Sequence, residues 1–498
     1  MRGFETNVSK IRRAVFVEVA KAAFEARDLT GEIEAIPYRI TPTETPRYRE
    51  SVYRERAIAS ERVRLAMGMP LNAQDRPAHI TNGLKKSNVS ELYYEPPLMQ
   101  VIPSACDRCV ENAYEVVACK KCVARYCVSV CPTGAVFIEN DGKAKIDRDK
   151  CIKCGKCKAA CPYEAIIHRI RPCAEACGVN AIKSDTLGRA EIDTEKCVAC
   201  GQCMVSCPFG AIADKSQIFQ LILALKRGDM VVAEVAPAIA GQFGEGAPLT
   251  KIVGALKKLG FRGVYEVARG ADVSAACEAR DYAAQVASGK LPFMLTSCCP
   301  SWSMLARTQF PETIDKISRT LTPMVATART VKQHQPDARV VFIGPCAAKK
   351  LEAMRKAVRS DVDFVITFEE LSAIFEARGI RVEECEDQLP VGIATAAGRG
   401  YGVAGGVAGA VEACVRAYYP DTEVKIERAE TLRECKKILA LAKAGKKQGC
   451  LIEGMACPGG CVGGAGVNIP VENGVHKIKE FAKKSEKTVP NKDLSVLT

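Results

Sequence analysis

Cys151-Ile-Lys-Cys154-Gly-Lys-Cys157-Lys-Ala-Ala-Cys161-Pro162 and Cys197-Val-Ala-Cys200-Gly-Gln-Cys203-Met-Val-Ser-Cys207-Pro208 are the two stretches on which the architecture turns. Both follow C-x2-C-x2-C-x3-C-P, a spacing that lets three sulfurs wrap one 4Fe–4S cube while the fourth reaches a neighbouring cube. The proline after the fourth cysteine helps stop the turn. Zinc is the weaker reading, because tetrahedral zinc sites favour two separated CxxC knuckles.

Working outward, Cys119-x2-Cys122-x4-Cys127-x3-Cys131-Pro132 is a loosened form of the same run. Cys106-x2-Cys109 and Cys173-x3-Cys177 look orphaned apart, but together they make one more run, interrupted by the complete 119–161 pair. Similar phrases close each half: Gly134-Ala135-Val136, Ala165-Ile166, Ala181-Ile182 and Gly210-Ala211-Ile212. The pattern predicts one two-cluster ferredoxin fold inserted into another. Ligands exchanged within each fold give four accessory cubes. Cys119, Cys122, Cys127 and Cys161 hold one, and Cys151, Cys154, Cys157 and Cys131 a second. A third takes Cys106, Cys109, Cys173 and Cys207, and a fourth Cys197, Cys200, Cys203 and Cys177. A row of such centres reads as a one-electron wire; purely structural clusters are the alternative.

The chain has 498 residues and 26 cysteines, sixteen of them between Cys106 and Cys207. That length and clustering point to metal thiolates and away from a secreted disulfide scaffold. No run of about 20 apolar residues exists, so no membrane span is expected. Arg12-Arg13 invites comparison with a twin-arginine signal, but Glu18, Lys21 and Glu25 interrupt the following segment, and a cytoplasmic location is expected. The formal charge of +13 counts every cysteine as neutral. Five all-cysteine cubes at roughly −2 each would remove about 10 charges, and no nucleic-acid motif accompanies the excess.

Residues 1–100 lack cysteine and read as a mainly helical accessory region, with helices at Ser9–Ala26 and Tyr48–Met67 and proline-bearing links at Pro37, Pro42 and Pro46. A wrap over the next domain is favoured over a partner surface. Pro96-Pro97 marks a boundary, and residues 101–215 form the nested ferredoxin-like α+β region. Residues 216–498 read as an α/β domain with parallel pairing. Its strands are expected at Met230–Val235, Val340–Ile343 and Phe364–Ile366, and its helices at Leu249–Leu259, Phe368–Ala377 and Gly406–Tyr418. The Lys-rich tail after Pro470 is expected to be solvated surface.

Three phrases in this domain carry chemistry: Thr296-Ser-Cys-Cys-Pro-Ser-Trp302, Ile343-Gly-Pro-Cys-Ala-Ala-Lys-Lys350 and Glu453-Gly-Met-Ala-Cys-Pro-Gly-Gly-Cys-Val-Gly-Gly464. They set out Cys298, Cys299, Cys346, Cys457 and Cys461 among small residues and prolines, as close approach of backbone to an inorganic cluster requires. Four thiolates suffice for a cube. A spare thiol beside a metal suits proton transfer.

These phrases resemble the three signature motifs of FeFe-hydrogenases, over roughly residues 216–470. The resemblance implies an H-cluster, a 4Fe–4S cube joined through a cysteine sulfur to a two-iron centre bearing CO, cyanide and a bridging azadithiolate. By motif position, Cys299, Cys346, Cys457 and Cys461 would hold the cube, with Cys461 bridging to the two-iron centre. Cys298 would exchange protons with the azadithiolate amine, Lys349 would hydrogen-bond a cyanide, and Met455 would pack beside the two-iron centre. Glu278, Ser318 and Asp281 fall where the family has its proton relay, Asp281 replacing a glutamate. Gln285 stands where an arginine often ends it. The implied reaction is reversible H2 oxidation and proton reduction. Electrons would pass to a ferredoxin or similar soluble carrier, and maturases would supply the two-iron centre.

The chain departs from the pattern too. Gly344 replaces a common methionine, and Gly464-Ala-Gly replaces the usual GGGQP ending, as in a less-studied branch of ferredoxin-fused members. The alternatives are a hydrogenase-like iron–sulfur assembly protein, a hydrogen sensor or a plain electron carrier. The retained Cys298, Lys349 and Met455 speak against the first, and a sensor's appended signalling module is not expected. A plain carrier would leave the three phrases without purpose. None of the four histidines lies in a signature phrase. Cys277, Cys385, Cys414, Cys435 and Cys450 lack ligand spacing and are expected to be small buried hydrophobes. Gly400-x-Gly402-x-x-Gly405, after a possible strand at Val391–Ala394, fits a dinucleotide fingerprint, but a lone match is weak.

Overall fold

The computed structural model describes residues 3–106, 109 and 112–492. Three N-terminal helices, α1 (Asn7–Glu25), α2 (Leu29–Ile40) and α3 (Val52–Ala66), open the chain. A reciprocal capping box between Thr6 and Ser9 starts α1, satisfying amides that the first turn otherwise leaves unpaired. Its buried face, including Val15, Phe16, Val19 and Ala23, joins the core that contains the helices Ile218–Arg227 and Phe368–Ala377. Arg12 fastens it with an ion pair to Glu369 at 2.7 Å. The N-terminal helices therefore wrap the distant α/β part, while α3 also touches the cysteine-rich region.

The expected link at Pro37 is corrected: α2 runs through it. Proline there forfeits one backbone hydrogen bond, but Ile33 and Ile36, both fully buried, hold the helix by packing.

The cysteine-rich region is built from short antiparallel pairs. The strand β1 (Met99–Val101) pairs with β8 (Ile212–Asp214), so the two ends of the region meet. Within that bracket β2 (Ala113–Val116) pairs with β5 (Ile166–Arg169), β3 (Val136–Ile138) with β4 (Ala144–Ile146), and β6 (Ile182–Ser184) with β7 (Ala190–Ile192).

The remainder contains two parallel sheets. One has the order β10-β9-β12-β13, from β9 (Val231–Val235), β10 (Gly263–Glu266), β12 (Arg339–Gly344) and β13 (Phe364–Thr367). The other has the order β11-β15-β14, from β11 (Phe293–Leu295), β14 (Lys425–Glu430) and β15 (Cys450–Met455). Burial of β9, β10, β13 and β15 at every position explains their largely apolar character, interrupted by the buried Glu234, Glu266 and Glu453.

Two more expectations are corrected here. Val391–Ala394 forms no strand, only a single bridge from Val391 to Tyr265. The tail after Pro470 is not merely solvated: Val471–Lys483 is an amphipathic helix that buries Gly474 and Ile478. Its lysines project on the opposite face and disguise the apolar stripe.

Lys350 ties the cysteine-rich and α/β parts together. Its ammonium is fully buried and lies 2.7 Å from both Asp214 of β8 and Glu370. No described helix is long and apolar enough to cross a membrane.

Candidate active site

Three parallel strands deliver the three signature phrases. Thr296–Cys299 follows β11, Pro345-Cys346 follows β12, and Ala456–Cys461 follows β15. Loops at the carboxyl ends of parallel strands are where α/β folds place their ligands. Here they enclose a cavity lined by Cys298, Cys299, Cys346, Lys349, Met455, Cys457 and Cys461. Local geometry explains the small residues. A Cβ on Gly464 would lie 2.3 Å from the Pro345 carbonyl oxygen, and one on Gly454 would lie 2.1 Å from the Trp302 ring. The Trp302 indole donates to the Thr296 carbonyl at 3.0 Å, and Ser301 Oγ to the Val198 carbonyl at 2.9 Å, which pins the first phrase to the Cys197–Cys207 run.

Gly344 has a structural counterpart. The Phe342 ring stands 2.4 Å from where its Cβ would be, and Phe342 lines the cavity. An apolar wall thus comes from two residues earlier on the same face of the strand.

Burial pushes the Cys346 thiol up to about 11 and the Cys461 thiol up to about 12. Cys299 is raised and Cys457 well raised for the same reason, and neighbouring thiolates raise Cys346, Cys457 and Cys461 further. Such a donor set is untenable as thiolates without a cation between them, and it fits an iron cluster. Among the described residues no three His, Cys, Asp or Glu side chains are close enough to share one ion. That spacing is asked of a mononuclear zinc site and not of a cube, whose four irons each take one sulfur.

Lys349 Nζ lies 2.6 Å from Glu352 Oε2, although the alignment is too poor for either atom to count as hydrogen-bonded. The short distance establishes the ion pair, and the ammonium keeps donors free towards the cavity. Burial lowers its pKa, but Glu352 outweighs that effect and holds it charged.

Glu278 projects from the helix Val267–Asp281 and is buried. Burial pushes its carboxyl up to about 7, against the lowering influence of the Ser318 hydroxyl and the Ser297 amide. Its Oε2 has no partner. Burial, then the Glu278 charge, drives the Cys298 thiol well above its ordinary range. Asp281 is half-buried and accepts from Arg280 at 3.0 Å. A guanidinium therefore meets Asp281 from the adjacent residue, while Gln285 is exposed. A π-helical turn, Tyr282–Val286, follows.

Besides Phe342, two residues escaped the sequence reading. The Tyr401 hydroxyl is buried without a partner, close enough for Glu278 and Cys298 to raise it. Glu453 accepts from the Gly405 and Ala408 amides, both at 2.7 Å, at the start of the helix Gly406–Tyr418. That carboxylate occupies the amides a dinucleotide phosphate would need, so the glycine phrase serves the fold. The only cue to Glu453 was its place at the head of the third phrase.

Fifteen of the sixteen upstream cysteines group electrostatically into four neighbourhoods. Cys161, Cys122 and Cys119 act electrostatically on Cys127, while Cys151 and Cys131 act on Cys157. Cys207, Cys109 and Cys106 act on Cys173, and Cys200, Cys197 and Cys177 act on Cys203. The last group adjoins the cavity: Cys200 feels Cys346, and Gln202 Nε2 donates to Cys457 Sγ at 3.4 Å. Cys154 is exposed. Of the cysteines without ligand spacing, Cys385, Cys414, Cys435 and Cys450 are buried and Cys277 half-buried.

Cysteine-dense modules feeding a cavity of converging thiols define an iron–sulfur redox protein. Comparison narrows the class. The family described as iron only hydrogenase large subunit, C-terminal domain, matches residues 229–465. Two 4Fe–4S binding domains match residues 143–166 and 190–213. Subunit HndD of the NADP-reducing hydrogenase of Solidesulfovibrio fructosivorans is 30% identical, over 51% of this chain and 53% of its own length. Iron hydrogenase 1 of Clostridium pasteurianum is 30% identical, over 66% of this chain and 65% of its own. The periplasmic [Fe] hydrogenase large subunit of Nitratidesulfovibrio vulgaris is 30% identical, over 49% of this chain and 69% of its own. The chain belongs to the iron-only hydrogenase family. It spans 53% and 65% of the first two relatives' lengths.

Proposed function

We propose that this protein interconverts H2 with protons and electrons at an H-cluster, relaying the electrons through four accessory 4Fe–4S cubes to a ferredoxin-type carrier. The observation that carries the reading is the convergence of Cys298, Cys299, Cys346, Lys349, Met455, Cys457 and Cys461 on one cavity. When bound, the H-cluster supplies the electron exchange and the H–H bond chemistry. Cys299, Cys346, Cys457 and Cys461 would hold its cube, Cys461 would also serve the two-iron centre with its CO, cyanide and azadithiolate, and that centre would supply the site for the H–H bond. Lys349 would hydrogen-bond a cyanide ligand, and Met455 would pack beside the two-iron centre.

Protons move along this chain's own side chains. Cys298 Sγ hands a proton to or from the cavity, Glu278 receives it, and Ser318 and Asp281 extend the route outward. With its carboxyl near 7, Glu278 is matched to both directions of transfer at neutral pH. Tyr401 adds a hydroxyl at the same junction.

The nested arrangement, one two-cluster fold bracketed by another, is supported by the pairing of β1 with β8 around β2 and β5. The division into residues 1–100, 101–215 and 216–498, a cytoplasmic location and dependence on maturases belong to the same proposal. Protein co-produced with maturases should evolve H2 from a reduced one-electron donor. Protein made without them should contain accessory cubes but evolve none. Equal absence of turnover in both, with full iron content, would defeat the proposal.

A further inference from the structure

Two buried arginines flank one of the four cysteine neighbourhoods. Arg62, on α3, is 6% exposed, and Arg171, two residues before Cys173, is 4% exposed. Their hydrogen bonds go to neutral acceptors. Arg62 Nη2 donates to the Gly210 carbonyl, and Arg171 Nη2 to Ser184 Oγ at 3.0 Å and the Gly188 carbonyl at 2.9 Å. Each also keeps a buried nitrogen with no partner, Nε of Arg62 and Nη1 of Arg171. The carboxylate that acts on Arg62, Glu369, is itself paired with Arg12 at 2.7 Å.

Both guanidiniums are anchored on segments that point amides at sulfur. Gly210 precedes Ala211, whose N–H lies 3.3 Å from Cys207 Sγ. Gly188 stands two residues before Ala190, whose N–H lies 3.2 Å from Cys106 Sγ. Arg171 acts electrostatically on Cys106 and Cys173, and Arg62 on Cys207. The neighbouring group has an amide contact of its own, from Ala181 to Cys177 Sγ at 3.2 Å, but no guanidinium. The charges acting on Cys197, Cys200 and Cys203 are other thiolates and Asp193. Around the outer groups, Cys154 is exposed, as are Lys120, Lys150, Lys153 and Lys158. Water and salt screen such charges.

Reducing a cube adds one negative charge, so a buried all-cysteine cube is costly to reduce unless positive charge or N–H···S bonds offset it. Resting on the ligand assignment proposed above, we propose that Arg62 and Arg171 lift the potential of the cube held by Cys106, Cys109, Cys173 and Cys207 above those of the other three accessory cubes. It is then the position where an electron waits in the relay. One electron enters, no bond forms, and the added charge stays on the cube between the two guanidiniums.

The test uses the full chain, reconstituted anaerobically with iron and sulfide and without maturases, titrated potentiometrically and followed by electron paramagnetic resonance. The cube reduced at the highest potential should disappear in Cys109→Ala, with a loss of about four irons, and persist in Cys154→Ala. Arg62→Gln and Arg171→Gln should each lower that step by roughly a tenfold change in the reduced-to-oxidised ratio, ~59 mV for one electron, leaving the other steps in place. Arg62→Lys should retain most of the wild-type value. An unmoved highest step in both glutamine variants, or equal movement of every step, overturns the proposal. If neither glutamine variant folds, survival of the highest-potential signal in Cys109→Ala overturns it equally well. An unchanged iron content in Cys109→Ala would instead refute the ligand assignment.

Discussion

Replacing Lys350 with methionine removes the ammonium held between Asp214 and Glu370, a perturbation whose size follows from the geometry. All three side chains are essentially inaccessible to water, and both N–O distances are 2.7 Å. The ammonium's third bond goes to the Lys215 carbonyl at 3.1 Å. Methionine fills the volume but leaves two buried carboxylates without their cation, a loss of about 3–5 kcal/mol for a broken buried pair. The pH dependence has a definite sign. In the wild type burial raises the Asp214 carboxyl, but Lys350, with Arg12 behind it, holds it below its ordinary range. Its contribution is therefore present above the unfolded-state pKa and lost only as pH falls through the lower folded value. In Lys350→Met that cation is gone and burial raises the Asp214 carboxyl, so the folded variant binds more protons there than the unfolded chain and loses stability as pH rises. Urea unfolding of cluster-loaded protein, followed by circular dichroism at about pH 5.5 and about pH 8, should show the larger deficit at the higher pH. A deficit under about 1 kcal/mol at both, or a larger one in acid, would refute this account of the joint.

Glu278→Gln should leave iron content unchanged and slow hydrogen turnover by about 10²–10⁴-fold; retention of more than half the rate would remove Glu278 from the route. Because burial lifts that carboxyl from 4.5 to about 7, the native state binds the extra proton between those values and stability falls as pH rises through them. Glu278→Gln should abolish that slope, about 3 kcal/mol across the window, as read by pH-dependent unfolding. Cys298→Ala should keep the infrared bands of the bound two-iron centre and lose most turnover, and normal turnover would exclude its proton role. Gly454→Ala drives a methyl group to 2.1 Å from the Trp302 ring and should lower stability by about 1–3 kcal/mol; an unchanged melting temperature would show that the ring can move away.

The parts of the fold legible in the sequence are those specified locally. The helix Phe368–Ala377 begins where Thr367 and Glu370 form a capping box. Gly406–Tyr418 begins after Gly405, whose φ of +82° suits glycine. The cysteine runs were readable because cube geometry demands short spacings. What stayed hidden depends on partners far along the chain. Pro37 argues locally for a break, and only the burial of Ile33 and Ile36 overrules it. The lysines of Val471–Lys483 mask an apolar stripe that has meaning only once Gly402 leaves room for Ile478. Lys350 and Asp214 meet across 136 residues, and Glu453 and Gly405 across 48. Within the site, the phrases singled out the cysteines, Lys349 and Met455. Phe342, Tyr401 and Glu453 needed the folded arrangement, because each acts through a neighbour on another loop or through a missing side chain on its own strand.

Infrared spectroscopy of maturase-supplied protein tests most directly whether the loops after β11, β12 and β15 build a composite iron site. Bands of iron-bound CO and cyanide should appear, and should vanish when Cys461 is replaced by alanine. Protein with a full complement of cubes and no such bands would contradict the hydrogenase reading and leave an iron–sulfur protein of another kind.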